Sequence, residues 1–245
     1  FLKWLLYACI IGIAAGGVSS AFYYCLRTAT QLRTEYSWML FLLPLAGAAI
    51  ALLYRICGVE RDRGTNLVLS AVRANEPMPL RTAPLVFLST ILTHLAGGSS
   101  GREGAVLQIG GSIASRMGRW MRLDPWDSRE MTMCGMSAAF SALFGTPLAA
   151  AAFAMEVVSV GRFYYAAIVP CMVSAFAGYL TAQFFRVPGT SFALSGIPDL
   201  VPLTLAQAVG MGVLFALLSI LFCRTMHQVH TLYERFLPHP VARAA

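Results

Sequence analysis

Charge is scarce in this sequence. Only 12% of its 245 residues carry it, where an ordinary soluble protein has about a quarter. Lysine occurs once, at Lys3. The net charge of +7 comes from arginine set against 11 acidic residues. The arginines stand in short polar breaks between apolar runs, the placement found in membrane proteins. Nowhere do they form the dense basic patch that grips phosphates. These shortages exclude a soluble domain, a disordered tail and a nucleic-acid partner. Any C-x-x-C pair is also missing: Cys9, Cys25, Cys57, Cys134, Cys171 and Cys223 all lie in or at the ends of apolar segments. That argues against metal or redox roles and predicts buried, small apolar side chains. No H-E-x-x-H and no paired aspartates occur, so neither a metal site nor a cofactor is expected. A cleavable leader is not evident, because the first apolar run is long enough to span and no A-x-A site follows it. The sequence starts at Phe1 rather than Met and stops just past a long apolar run, which predicts a piece of a longer chain.

What is present is apolar. With 58% hydrophobic residues, the chain reads as an all-α polytopic membrane protein. Trp4–Leu26, Trp38–Cys57, Phe163–Phe185 and Leu203–Cys223 are the spanning candidates, each near the length of about 20 residues that a bilayer requires. Arg27, Arg33 and Glu35 mark a polar turn between the first two. Shorter apolar pieces lie between the long ones: Gly64–Val72, Leu80–Ala96, Ala105–Met121, Met131–Phe144 and Pro147–Val160. Arg116–Glu130 reads as a solvated loop holding Arg116, Arg119, Arg122 and Arg129, and Arg186–Asp199 as another. The tail after Cys223 is polar and contains His227, His230 and His239. Pieces too short to span, broken at points such as Gly145-Thr146-Pro147, occur where backbone lines a protected cavity. They point to an ion or solute site. Gly12 and Gly16 form a G-x-x-x-G suited to close helix packing, and Phe163, Tyr164 and Tyr165 suit an interface anchor.

The stretch from Gly97 to Gly111, G-G-S-S-G-R-E-G-A-V-L-Q-I-G-G, carries most of the functional information. Its glycines allow a sharp turn with exposed amides, and a helix is expected to begin at about Glu103 or Gly104. Free N–H groups and partial positive charge at a helix start make an anion site without a cationic side chain. Partial charges also let the anion leave again. A carboxylate in such an apolar setting costs several kcal/mol unless it is paired, solvated or protonated. At the helix start, Glu103 can occupy the anion position itself and vacate it when protonated. The plainer alternative, pairing with Arg102, is disfavoured because adjacent helical residues face apart. His94 is expected to be a hydrogen-bonded structural histidine.

These residues resemble the CLC family of chloride channels and proton-coupled anion antiporters. Gly101-Arg102-Glu103-Gly104-Ala105 is similar to the family's G-R-E-G-P, with Ala105 in place of proline. Ala138-Ala139-Phe140, Phe144 to Ala149 and Phe153-Ala154-Met155-Glu156 resemble the helices that follow. The resemblance implies a CLC-type inverted-repeat fold with tilted and broken helices, with 1–200 the first repeat and 201–245 the first helix of the second plus a tail. It implies that Glu103 is the gate, and that the amides from Gly101 to Gly104 help form outer anion sites. Gly64-Thr65-Asn66 would stand where the family has its G-S-G-I-P selectivity loop, with Thr65 supplying the hydroxyl. The literal Ser195-Gly196-Ile197-Pro198 has the wrong order and reads as an unrelated loop. Pro84-Leu85-Val86 and Thr93-His94-Leu95 are similar to a bacterial branch that includes fluoride exporters, so fluoride competes with chloride as the substrate. Glu156 matches a family glutamate, but Val157 replaces the second one that antiporters carry. This favours a channel or a fluoride-type exchanger, with Glu156 structural or a proton-path candidate. The resemblance also implies a homodimer in a bacterial cell membrane. It leaves another helix start and a tyrosine hydroxyl to be supplied by a second half.

Two readings compete. An intramembrane enzyme would use Glu103, His94 or Asp62, but lacks a nucleophile–base pair in the sequence. A structural membrane subunit would not need a glutamate in a glycine-rich helix start.

Overall fold

The computed structural model describes residues 2–59, 64–74, 78–158, 164–190, 196, 198–199 and 201–236. The described residues are helical and contain no strand. In order they form α1 (Leu2–Glu35), a 3-10 turn (Ser37–Leu42), α2 (Leu43–Ile56), α3 (Thr65–Ala74), α4 (Thr82–Leu95), α5 (Arg102–Trp120), α6 (Pro125–Phe144) and α7 (Pro147–Glu156). A second 3-10 turn (Tyr165–Ala167), α8 (Ile168–Phe184) and α9 (Pro202–Phe236) complete the set. Among the described residues, four segments are long and apolar enough to cross a membrane: Leu2–Glu35, Ser37–Ile56, Tyr165–Phe184 and Pro202–Tyr233. The chain divides into two units, Phe1–Thr190 and Ser191–Ala245.

In the first unit α5 and α6 form the centre. From Ala105 to Ser112 every residue of α5 is buried, and α6 is buried from Met131 to Ala139. A helix surrounded on all sides needs small residues where backbones meet. A Cβ added to Gly110 would stand 2.3 Å from the Gly135 carbonyl oxygen, and one on Gly135 would stand 2.4 Å from the Ala114 Cβ. The α5–α6 crossing therefore admits only hydrogen at both positions. Gly12 and Gly16 of α1 meet Ser174, Ala177 and Gly178 of α8 in the same manner. Two reciprocal bonds fasten α6 to α8: the Ser137 hydroxyl donates to the Cys171 carbonyl at 3.0 Å, and Ser174 to the Cys134 carbonyl at 2.9 Å. The second unit contains α9, whose spanning window has no buried residue.

Several boundaries differ from the sequence expectation. The polar turn at Arg27–Glu35 is instead the last part of a single α1 of 34 residues. Val18–Glu35 contains neither glycine nor proline, so nothing stops the helix, and Thr30 and Thr34 satisfy their hydroxyls on the carbonyls of Leu26 and Thr30. The loop at Arg116–Glu130 shrinks to a short turn. Asp124 caps α6 by accepting from the Asp127 amide at 2.8 Å, and Pro125 occupies the first turn, a standard helix start. The tail after Cys223 is helical to Phe236. The break at Gly145 stands as expected: its φ of 73° ends α6 and Pro147 opens α7, a backbone turn that glycine adopts without strain. Of the cysteines, only Cys134 and Cys171 are buried, whereas Cys9, Cys25 and Cys223 are exposed and Cys57 is half-buried. Their apolar context came from the outer faces of α1, α2 and α9, not from the core.

Candidate functional site

The site is built from two helix starts. α5 begins at Arg102 with Gly101 at its N-cap in extended conformation (φ −69°, ψ 132°), and no side chain caps it. The start lies one residue before the expected Glu103 or Gly104. The first amides of an α-helix have no intrahelical partner. The Glu103 side chain lies back toward Gly101: its Oε2 is 3.4 Å from the place where a Gly101 Cβ would stand. The carboxylate thus sits at the positive end of its own helix, where the peptide dipoles favour negative charge. Both Arg102 and Glu103 are exposed, and among the described residues the two do not form an ion pair. The plainer alternative weighed from sequence is therefore not what the structure has.

The second helix start is α3. Gly64 takes a left-handed φ of 54°, and Thr65 opens the helix. A Cβ on Gly104 would meet the Thr65 Oγ1 at 2.5 Å. The hydroxyl at the start of α3 therefore lies directly against the first turn of α5. Of the residues singled out from sequence, Gly64, Thr65, Gly101, Arg102, Glu103 and Gly104 come together here. Asn66 is exposed beside them, and Ala105 is buried one step into α5.

Glu156 and Val157 lie elsewhere. Glu156 is the exposed last residue of α7, and Val157 is half-buried at its C-cap. The next residue, Val158, accepts a hydrogen bond through its carbonyl from Nε of Arg73, near the end of α3. α3 thus has Thr65 at one end and the α7 terminus at the other, separated by about 12 Å at 1.5 Å per helical residue.

The loop that feeds α5 is held from two sides. His94 Nε2 is 3.1 Å from the Ser100 carbonyl oxygen, and the amides of Gly97 and Gly98 donate to the carbonyls of His94 and Thr93. His94 is thus a structural histidine, as expected. From α1, the Arg33 Nε lies 2.8 Å from the Cβ position of Gly97. Sequence reasoning missed Arg33 because it placed that residue in a turn. The signal was the absence of any helix breaker from Val18 to Glu35. Among the described residues no group of three His, Cys, Asp or Glu stands together. Asp62, His239, Phe163, Ser195 and Ile197 lie outside the described residues.

Comparison with known proteins agrees with the fold. Residues 46–245 match the family model described as voltage gated chloride channel. A chloride/fluoride channel protein of Pseudomonas syringae pv. tomato is 35% identical over 98% of this chain and 54% of its own length. The crystal structure of a CLC-type fluoride/proton antiporter superposes with a TM-score of 0.93 at 32% identity, covering 99% of this chain and 62% of that one. A slow cyanobacterial Cl−/H+ antiporter shares the fold, with a TM-score of 0.79 at 19% identity over 96% of this chain and 59% of that one. The chain spans about half the length of the curated relatives it matches. The chain belongs to the voltage gated chloride channel (CLC) family and has its helical fold.

Proposed function

We propose that this protein carries a small halide across a membrane along a path that passes the start of α5, with Glu103 as the gate. The observation that carries this reading is the Glu103 carboxylate lying back toward Gly101 at an uncapped helix start, unpaired with Arg102, while Gly104 of the same turn abuts the Thr65 hydroxyl. An arriving anion and the carboxylate are drawn to the same positive helix end, and protonation of Glu103 leaves that end to the anion. The amides from Gly101 to Gly104 hold the outer ion. Thr65, with Gly64 and Asn66, supplies the inner hydroxyl where the family pattern has serine. Ala105 permits the first turn to continue without proline. The work is transport rather than catalysis, performed in the bacterial cell membrane by a homodimer, with residues 1–200 as the first inverted repeat and 201–245 as the opening of the second.

Fluoride in exchange for protons is the second reading. The 32% identity and the TM-score of 0.93 to a fluoride/proton antiporter favour it, as does the similarity to a chloride/fluoride channel protein. Val157 leaves Glu156 without the adjacent glutamate of chloride antiporters, so any proton route passes Glu103 without help from position 157. Efflux from liposomes containing the intact protein tests both readings, with chloride or fluoride inside and the pH recorded. Fluoride efflux with proton uptake supports the exchanger, and pH-silent efflux supports a channel. Glu103→Ala should abolish the pH response of transport. If neither anion moves, the proposal is wrong.

A further inference from the structure

Cys134 and Cys171 are the two buried cysteines among the described residues, and anion transport as read above uses neither. We infer that they form a buried two-thiolate site for one soft divalent cation, of the mercuric kind, and that filling it disturbs the α5–α6 crossing. The two residues stand in different helices, so the lack of a C-x-x-C in the sequence gave no hint of the pair. Folding brings them together. Near their starts, Arg129 of α6 lies over the ring of Tyr164, 4.9 Å from its centroid. Near their ends, the Thr190 amide donates to the Phe144 carbonyl at 3.1 Å. α6 and α8 therefore run side by side in one direction. Ser137 follows Cys134 by three residues, and Ser174 follows Cys171 by three. Each hydroxyl bonds the carbonyl of the other helix's cysteine, at 3.0 and 2.9 Å. A helical side chain leans toward the start of its own helix, so this exchange sets the two cysteines level. Their thiols meet in a side-chain hydrogen bond, and both residues are 0% exposed.

Ligand count and charge select the cation. Structural zinc takes four ligands, and among the described residues no group of three His, Cys, Asp or Glu stands together. Two sulfurs suit a soft ion that accepts two ligands in line. The cluster around them is apolar, with Met131, Met136 and Met155 among its members, so a net charge left there is costly. A divalent ion bound by two thiolates is neutral. A monovalent ion with the same two thiolates leaves a negative charge. The uncharged dichloride also enters an apolar interior without carrying charge in. Two sulfur–mercury bonds form and two mercury–chlorine bonds break. The two thiol protons leave with the two chlorides as hydrogen chloride, and nothing is oxidised or reduced. At about 2.3 Å for each metal–sulfur bond, the sulfurs stand about 4.6 Å apart, farther than two thiols in hydrogen-bond contact. α6 has no slack to absorb this. An added Cβ on Gly135, next to Cys134, would stand 2.4 Å from the Gly110 carbonyl oxygen of α5, and one on Gly178 of α8 would stand 2.5 Å from the Ala138 carbonyl oxygen. An ion between α6 and α8 therefore presses α6 on α5, the helix that begins beside Glu103.

The test treats the intact protein with mercuric chloride, in a background where Cys9, Cys25, Cys57 and Cys223 are replaced by alanine. Excess reagent and singly held mercury are then stripped with a small monothiol. Intact-mass measurement should find one retained mercury per chain, with two hydrogens lost and no chloride kept. Cys134→Ser and Cys171→Ser, each in the same background, should retain none. Alanine at either position replaces serine if the serine variant melts below the background. A bridged ion binds only the folded pair, so the melting temperature of the background should rise on treatment and that of either single variant should not. The site is overturned if the adduct keeps a chloride, if either single variant holds mercury as the pair does, or if the thiols react only after unfolding. Chloride and fluoride efflux from liposomes reads the coupling. Treatment should remove most of the flux of the background, leave the single variants unchanged, and be reversed by a small dithiol. Full flux at full occupancy overturns the coupling. If the untreated protein moves neither anion, the functional reading falls, while the mass and melting readouts still decide the site.

Discussion

At the scale of single residues, the glycine and the threonine that touch between α5 and α3 define the site more sharply than any charge does. A Gly104→Ala variant places its methyl 2.5 Å from the Thr65 Oγ1, so the hydroxyl or the whole start of α3 must move. We expect such a variant to keep most of its thermal stability and to lose most of its anion flux. Gly17→Ala is the matched control, because nothing lies within 4 Å of its Cβ, and it should leave both unchanged. Melting in detergent together with liposome flux checks the pair. His94 makes a second case. His94→Leu leaves the Ser100 carbonyl without its partner, which should cost about 1 kcal/mol in denaturation midpoint analysis. The role of Glu103 as a group at a helix start was legible from the run of glycines before it. Its contact with Thr65 was not, because residues 104 and 65 are far apart in the chain and only folding places them together.

At the scale of helices, the α5–α6 crossing is the tightest junction. Gly110→Ala would drive a methyl to 2.3 Å from a backbone oxygen. A backbone atom has little room to yield, so the expected loss is about 3 kcal/mol, read as a lowered unfolding midpoint in lipid or detergent. The polar first turns of α6, ahead of the apolar stretch from Met131, bear a pH-dependent term. Burial raises the pKa of Glu130 above its ordinary value, with the negative charges of Asp127 and Asp124 adding to the rise. A raised carboxyl pKa favours the neutral form in the folded state. Its contribution is therefore fully present below the unfolded pKa and is lost as pH rises through the folded one. Glu130→Gln should match the parent near about pH 4 and exceed it in stability at about pH 7, as measured by thermal unfolding across that range. Most helices were legible as apolar runs between Gly and Pro. The end of α1, the start of α6 and the end of α9 were not, because polar residues in an unbroken helix resemble a loop when only hydropathy is read.

At the scale of the whole molecule, the exposed surface is unusually apolar. Leu45 and Ile56 of α2 are 67% and 74% exposed, and Leu203 and Phe222 of α9 are 68% and 66% exposed. Soluble proteins rarely leave such runs uncovered, and lipid is the solvent that accepts them. The protein should therefore stay in the membrane fraction through an alkaline carbonate wash, and its release would contradict the membrane reading. Scarce charge, long apolar runs and a glycine-rich break with one acid were enough, by themselves, to determine the membrane solvent, the helical class and the family resemblance. Each follows from composition or from a contiguous motif. Tertiary structure alone decided that the starts of α3 and α5 converge, that Glu156 lies at the far end of α3 from that junction, and that Cys134 and Cys171 meet between α6 and α8. These are relations between distant segments, set by which backbones can approach across Gly104, Gly110 and Gly135, and no local pattern encodes them.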